Sequence, residues 1–374
     1  MSIDYKIDYK EGPVTRETSA TFFRGNGANF FPSDEGVDRR GFVETLVGGL
    51  VPAAPIVDKS TRIVTFGSCF AANISRHLHA RGYNVLTKKD EVSYVSKMGD
   101  GIVNSFAILQ QFEWAWKNRQ PRADLWHGFD AQALGYDELV RLKTKGLFDA
   151  CEMFIITFGL SEIWYDETTG EVFWRAVPTE NFDATRHKFR VATQAENLRN
   201  MQAIYSLIRK HRPDAPIVFT LSPVPLTATF RPISAVVASA ASKASLRGAL
   251  DEFFADSMAH GAFYFPSYEI VLECFQNRFM EDRKHVHQHV LDFVMVLFER
   301  HFAGVGDDEV VWAAFKRARR LDKRVGRHGH WSVPRKLRER KGLTRRPPPF
   351  RIMALMAIEK FCGRYLTRSF AKNG

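Results

Sequence analysis

Three short apolar runs restrict this chain more than anything else in it: Arg62-Ile63-Val64-Thr65-Phe66, Met153-Phe154-Ile155-Ile156-Thr157-Phe158 and Ile217-Val218-Phe219-Thr220-Leu221. None alternates apolar with polar residues, so each reads as a strand covered on both faces, which is the habit of parallel sheets. Each stops at a turn-forming residue, Gly67, Gly159 or Ser222-Pro223. Between and after them lie stretches with helical spacing: Phe70 to Ala80, Ser105 to Trp116 with a thick aromatic face, Glu196 to Lys210, Ser242 to Met258 and Val290 to Phe302. Tyr83 to Leu86 and Phe263 to Phe265 read as further short strands. Strands alternating with helices predict an α/β fold, a mostly parallel sheet with helices on both faces. Ligands then bind outside the carboxyl ends of the strands, where the Gly and Ser turns gather.

The 374 residues divide into an N-terminal leader over 1–45 without clear periodicity, an α/β domain over 46–303, and a basic C-terminal tail over 304–374, partly helical or disordered. The tail explains the charge. Ala314 to Gly374 carries 19 Lys and Arg against 3 Asp and Glu, a net +16, which leaves −5 on residues 1–313 within the total of +11. A net-negative body without a reading motif argues against nucleic acid as a partner. Ile352 to Ile358 with Phe361 and Tyr365, flanked by Arg351, Lys360, Arg364 and Arg368, has the composition of a basic helix lying on an anionic membrane surface. Four cysteines without CxxC spacing exclude a zinc ribbon and fit a reducing compartment, and no apolar run reaches membrane-spanning length. The expectation is a cytoplasmic protein, with peripheral membrane attachment through the tail. His285, His287 and His289 come without a matching carboxylate or Cys cluster, so no metal site is expected.

Gly67-Ser68-Cys69-Phe70-Ala71 places two nucleophile-capable side chains between a strand and a helix N-terminus. Exposed amides there lower a thiol pKa and stabilise an oxyanion, although Ser is also a favoured N-cap and Cys a common core residue. Asp282 stands three residues before His285, close enough to fix the imidazole's tautomer and steady its cation. Ser222-Pro223-Val224-Pro225 promises a rigid loop at the same sheet edge. Ser242 and Lys243, adjacent at an apparent helix start, read as capping residues rather than as a Ser-Lys dyad.

Six ordered blocks carry a resemblance: Thr65 to Ala71, Ile156 to Gly159, Thr220 to Pro225, Ser242 to Leu246, Tyr264 to Glu269 and Asp282 to His285. Over roughly residues 45–302 the chain resembles the GSCFA-domain family, itself similar to the SGNH/GDSL hydrolase superfamily with its three-layer α/β/α fold. Aligned without a gap, the resemblance puts Cys69 at the nucleophile position and Ser68 at that of an Asp, with Ser68 as attacking residue the alternative. It implies His285 as base and Asp282 as its orienter. Oxyanion and substrate positions would fall to Gly67, Gly101, Asn104, Gly159, Ser161 and Glu162, where the chain reads Gly-Leu-Ser-Glu instead of the superfamily's Gly-x-Asn-Asp. His187, with Lys188 beside it, resembles a family His-Lys block and, like Ser222, could line the site. The implied activity is an acyl-ester hydrolase or acyltransferase without cofactor, acting on a small-molecule or glycan ester. The rival expectation is an SGNH-like scaffold that binds a glycan or lipid-linked intermediate without turnover.

Overall fold

The computed structural model describes residues 5–20, 22–120, 126–256 and 259–329. The chain opens with strands β1 (Tyr5–Glu11), β2 (Val14–Ala20) and β3 (Ala28–Asn29), then short helices α1 (Asp34–Val37) and α2 (Phe42–Val47). Next come β4 (Ile63–Phe66), α3 (Cys69–Ala80), α4 (Tyr94–Lys97), α5 (Ser105–Lys117), α6 (Glu138–Ala150) and β5 (Met153–Phe158). A hairpin of β6 (Glu162–Asp166) and β7 (His187–Val191) precedes α7 (Gln194–His211), β8 (Ile217–Leu221), α8 (Ala235–Ala255) and β9 (Ala262–Tyr264). Helices α9 (Ser267–Cys274), α10 (Gln288–Ala303) and α11 (Asp308–His328) complete it.

The three apolar runs are strands of one parallel sheet in the order β4-β5-β8-β9. Their side chains alternate between two buried layers. Val64, Phe66, Phe154, Ile156, Phe219 and Leu221 face the cluster built by α4 to α8, while Ile63, Met153, Ile155 and Val218 face that of α2, α3 and α9 to α11. The architecture is therefore three-layered, α/β/α.

Tyr83 to Leu86, expected as a strand, contributes one parallel bridge from Val85 to Ile63 before the chain turns into a 3-10 helix at Leu86–Lys88. That bridge still sets the topology. It lies on the far side of β4 from β5, so the chain runs outward from β4 in one direction and then, from β5 on, in the other. The switch point falls between β4 and β5, where α/β sheets open a ligand crevice at the carboxyl edge.

Residues 5–20, read as part of a leader without periodicity, form an antiparallel hairpin turned through Gly12-Pro13, with β3 parallel to β1. Farther on, Val37, Phe42, Val43 and Val47 are buried in the same layer as α10. Helix α11 extends that layer too, with Phe315 against Phe275 and Phe293, and with Arg319 and Lys323 paired to Asp38. The stretch Ile352 to Tyr365, expected as a membrane-lying helix, falls outside the described residues. No described helix is long and apolar enough to cross a membrane.

Candidate functional site

At the carboxyl end of β4 the chain makes a turn that only glycine permits. Gly67 has φ +130°, and a methyl group there would stand 2.1 Å from the Thr157 carbonyl of β5. After the bend, Ser68 and Cys69 take different positions at the carboxyl end of β4. Ser68 is extended, buried and the N-cap of α3, its hydroxyl accepting from Phe70 N–H at 3.1 Å and Ala71 N–H at 3.4 Å. Those bonds satisfy two of the first-turn donors and fix the oxygen among amides. Cys69, the first helical residue, is half-exposed. The alternatives left open by sequence thus separate by position: a hydroxyl bound into the helix cap and a half-exposed thiol at the positive end of the helix dipole.

Two cations stand within electrostatic reach of that thiol. Lys243 is buried, with Nζ donating to the carbonyls of Gly159 at 2.5 Å and Ser222 at 2.7 Å. It thereby ties together the chain leaving β5 and the chain leaving β8. Burial pushes its amine down to about 7, against the pull of Cys69. Arg175, on the loop between β6 and β7, lies with its guanidinium 4.5 Å over the Phe129 ring. Burial lowers its pKa, with Asp100 and Cys69 acting in the other direction. The sequence gives no local signal for Arg175, and Lys243 was expected at a helix start. The structure instead begins α8 at Ala235, capped by Ser234, so Ser242 and Lys243 are mid-helix and face the sheet edge.

Asp282 and His285 form the expected pair. The ring Nδ1 hydrogen-bonds the Asp282 carboxylate, whose other oxygen accepts from the N–H groups of Lys284 and His285, both at 3.0 Å. Burial alone would raise the Asp282 carboxyl, but the ring and the two amides hold it well below the usual range. The pair precedes α10, which starts at Gln288, so His285 and His289 do not share a helix face. His289 is buried, its ring stacked on His287 at 5.2 Å, and burial together with His287 pushes its pKa down to about 3. Among the described residues no group of three or more His, Cys, Asp and Glu is arranged to hold a metal ion.

Helix α10 begins at the carboxyl edge of the sheet, just after the pair. At its far end the Phe302 carbonyl accepts from Ile56 and Val57 N–H, on the chain leading into β4, and Glu299 takes both His77 and Arg81 from the end of α3. Both helices therefore end on the amino side of the sheet and begin on its carboxyl side, as Cys69 does.

The other expected site residues divide differently. Asn104 is the N-cap of α5, accepting from Ala107 N–H, and its amide donates to the carbonyls of Phe173 and Trp174. Ser161 is locked to α8, its N–H donating to the Ser242 hydroxyl and its own hydroxyl to the Ser242 carbonyl. Glu162 is buried on β6 and accepts from the Thr229 hydroxyl, with its pKa raised by burial. His187 sits buried in the β6–β7 hairpin, its Nδ1 accepting from Asp183 N–H. Ser222, buried, donates its N–H to Phe158 and accepts from Val224 N–H. Gly159 donates to the Val103 carbonyl, and Gly101 donates to Met98 and packs under Arg175, where a methyl group would stand 3.3 Å from Nη1. These residues are all engaged in hydrogen bonds within the chain, Asn104 and Ser161 through their donors.

The GSCFA family profile matches residues 62–298, well over half of the chain, and the protein belongs to that family. Comparison with curated proteins finds no match.

Proposed function

We propose that the protein is a thiol-dependent acyl-ester hydrolase or acyltransferase in which Cys69 is the nucleophile and His285, oriented by Asp282, is the proton carrier. The observation that carries this reading is the division of labour at the turn: Ser68 caps α3, while Cys69, half-exposed in the first turn, is within electrostatic reach of Lys243 and Arg175. A helix N-terminus and the Arg175 guanidinium favour thiolate over thiol, with Lys243 adding to them when protonated. The thiolate adds to the ester carbonyl, the oxyanion collapses, and the alkoxide leaves with a proton from His285. Water, or a sugar hydroxyl in a transferase, then gives its proton to His285 and attacks the thioester, restoring Cys69.

The likeness to SGNH hydrolases supports the same arrangement, with a different source of oxyanion donors. The rival reading, a glycan-binding scaffold without turnover, is favoured by the engagement of Asn104 and Ser161, since loss of one oxyanion donor costs about a hundredfold or more in rate. We place the activity in the cytoplasm, with the basic C-terminal stretch resting on an anionic membrane surface.

The test is p-nitrophenyl acetate turnover by wild type, Cys69→Ala, Ser68→Ala and His285→Ala. Turnover lost in Cys69→Ala and His285→Ala and kept in Ser68→Ala supports the thiol mechanism. Equal activity in all four proteins, or none in wild type, refutes it.

A further inference from the structure

Among the described residues, none accepts a hydrogen bond from the buried Nη1 of Arg175. Nor does Arg175 enter an ion pair among those residues, although Asp100 acts on it electrostatically. Leaving a buried guanidinium nitrogen without an acceptor is costly, and native structures seldom do so without a reason. Lys243 offers the contrast, a buried cation already holding two carbonyls. Arg175 and Met98 both close on Gly101, where a methyl group would stand 3.3 Å from Nη1 and 2.8 Å from the Met98 methyl; Cys69 acts on the guanidinium electrostatically, and over it lies Phe129, 57% exposed on its loop. A ring so exposed can move aside, and the half-buried guanidinium beneath it then presents a planar fork that matches a carboxylate with two parallel hydrogen bonds.

We propose that Arg175 binds a carboxylate on the acyl donor, so that the substrate is an ester of an acid carrying a second carboxyl group close to the carbonyl that Cys69 attacks. The inference builds on the thiol mechanism above, but carboxylate binding is a property of the pocket and does not require turnover.

Two measurements test it without an ester. Iodoacetate and iodoacetamide alkylate a thiolate by the same step, in which the S–C bond forms and iodide leaves with the C–I electron pair; they differ in that only iodoacetate carries a carboxylate. A Cys362→Ser background confines the reaction to Cys69, because burial pushes the Cys151 and Cys274 thiols up to about 12. Relative to a simple thiol, wild type should prefer iodoacetate over iodoacetamide by about tenfold, the size expected for one charge-assisted contact. Arg175→Met should abolish that preference and Arg175→Lys keep part of it, with the iodoacetamide rate little changed. The second measurement is calorimetric titration with succinate, which needs no reactive thiol: it should bind wild type and not Arg175→Met. No succinate binding to wild type at millimolar concentration overturns the proposal. So does an Arg175→Met effect of equal size on both alkylating reagents, since Arg175 would then act on the thiolate alone. Succinate binding and iodoacetate preference in a protein without esterase activity would uphold carboxylate recognition and reject the hydrolase reading.

Discussion

Replacing Lys243 by Met should change how stability responds to pH, and the structure sets the sign. In the folded protein burial holds the amine near 7. In the unfolded chain it titrates near its ordinary value of about 10.4. A group whose pKa is depressed by folding contributes fully above the unfolded value and loses that contribution as pH falls toward the folded one. Wild type should therefore lose stability relative to Lys243→Met by about 1.4 kcal/mol per pH unit, roughly 2 kcal/mol between pH 9 and pH 7, and level off below the folded value. Met keeps much of the side-chain volume but leaves the Gly159 and Ser222 carbonyls without their donor, an offset of about 1–3 kcal/mol per carbonyl that does not vary with pH. Denaturant unfolding of the two proteins at pH 7, 8 and 9 at fixed ionic strength reads both quantities. The same pair in a Cys69→Ala background removes titration of the thiol from the comparison. A stability difference that stays constant from pH 7 to 9 would refute the reasoning, because the two carbonyls would then be holding Lys243 charged throughout.

Ser68→Ala should cost about 1 kcal/mol through loss of the α3 cap while leaving Cys69 alkylation in place, measured by thermal unfolding and mass spectrometry. Asp282→Asn should lower turnover by about a hundredfold or more at neutral pH, with KM little changed, because His285 loses the carboxylate that fixes its ring; an equal loss in His285→Ala and the double variant would show that the pair acts as a unit. Gly67→Ala should be destabilised by on the order of 3 kcal/mol or more, since it combines positive φ with a collision against Thr157, and soluble, wild-type-like unfolding would contradict that account. Co-sedimentation with phosphatidylserine vesicles should retain the full chain at low salt and release a chain ending at Gly329; equal binding by both would remove the C-terminal stretch from any membrane role.

The central sheet was legible because its strands carry one message along their whole length. Every residue of β4, β5 and β8 is buried, so the apolar runs are unbroken. The N-terminal hairpin carries no such message. Along β2 the side chains alternate between half-buried and exposed, and charged residues occupy both faces, so strand pairing there rests on the backbone. Tyr83 to Leu86 fell between these cases. Tyr83 and Val85 are buried as a strand would have them, but pairing stops after one bridge, because the chain turns at Leu86 and spends no further residues beside β4.

The candidate site was legible where its residues are neighbours in sequence and hidden where the fold assembles them. Ser68 beside Cys69, and Asp282 three residues before His285, are local patterns with local geometry, and both appear as such. Arg175 and Lys243 act on Cys69 electrostatically from a hairpin loop and the middle of a helix, so nothing in their own sequence surroundings marks them. Lys243 did leave a trace, as the polar pair Ser242-Lys243 imitated a helix start. In the structure that pair interrupts an apolar, Ala-rich helix because Ser242 must meet Ser161 while Lys243 spans Gly159 and Ser222. A break in local pattern inside a continuous helix is the expected mark of residues serving the sheet edge rather than their own element. The same logic separates the two cations. Lys243 has its acceptors within the chain and acts as a brace near Cys69, whereas Nη1 of Arg175 meets no acceptor among the described residues, which is what the proposed carboxylate would supply.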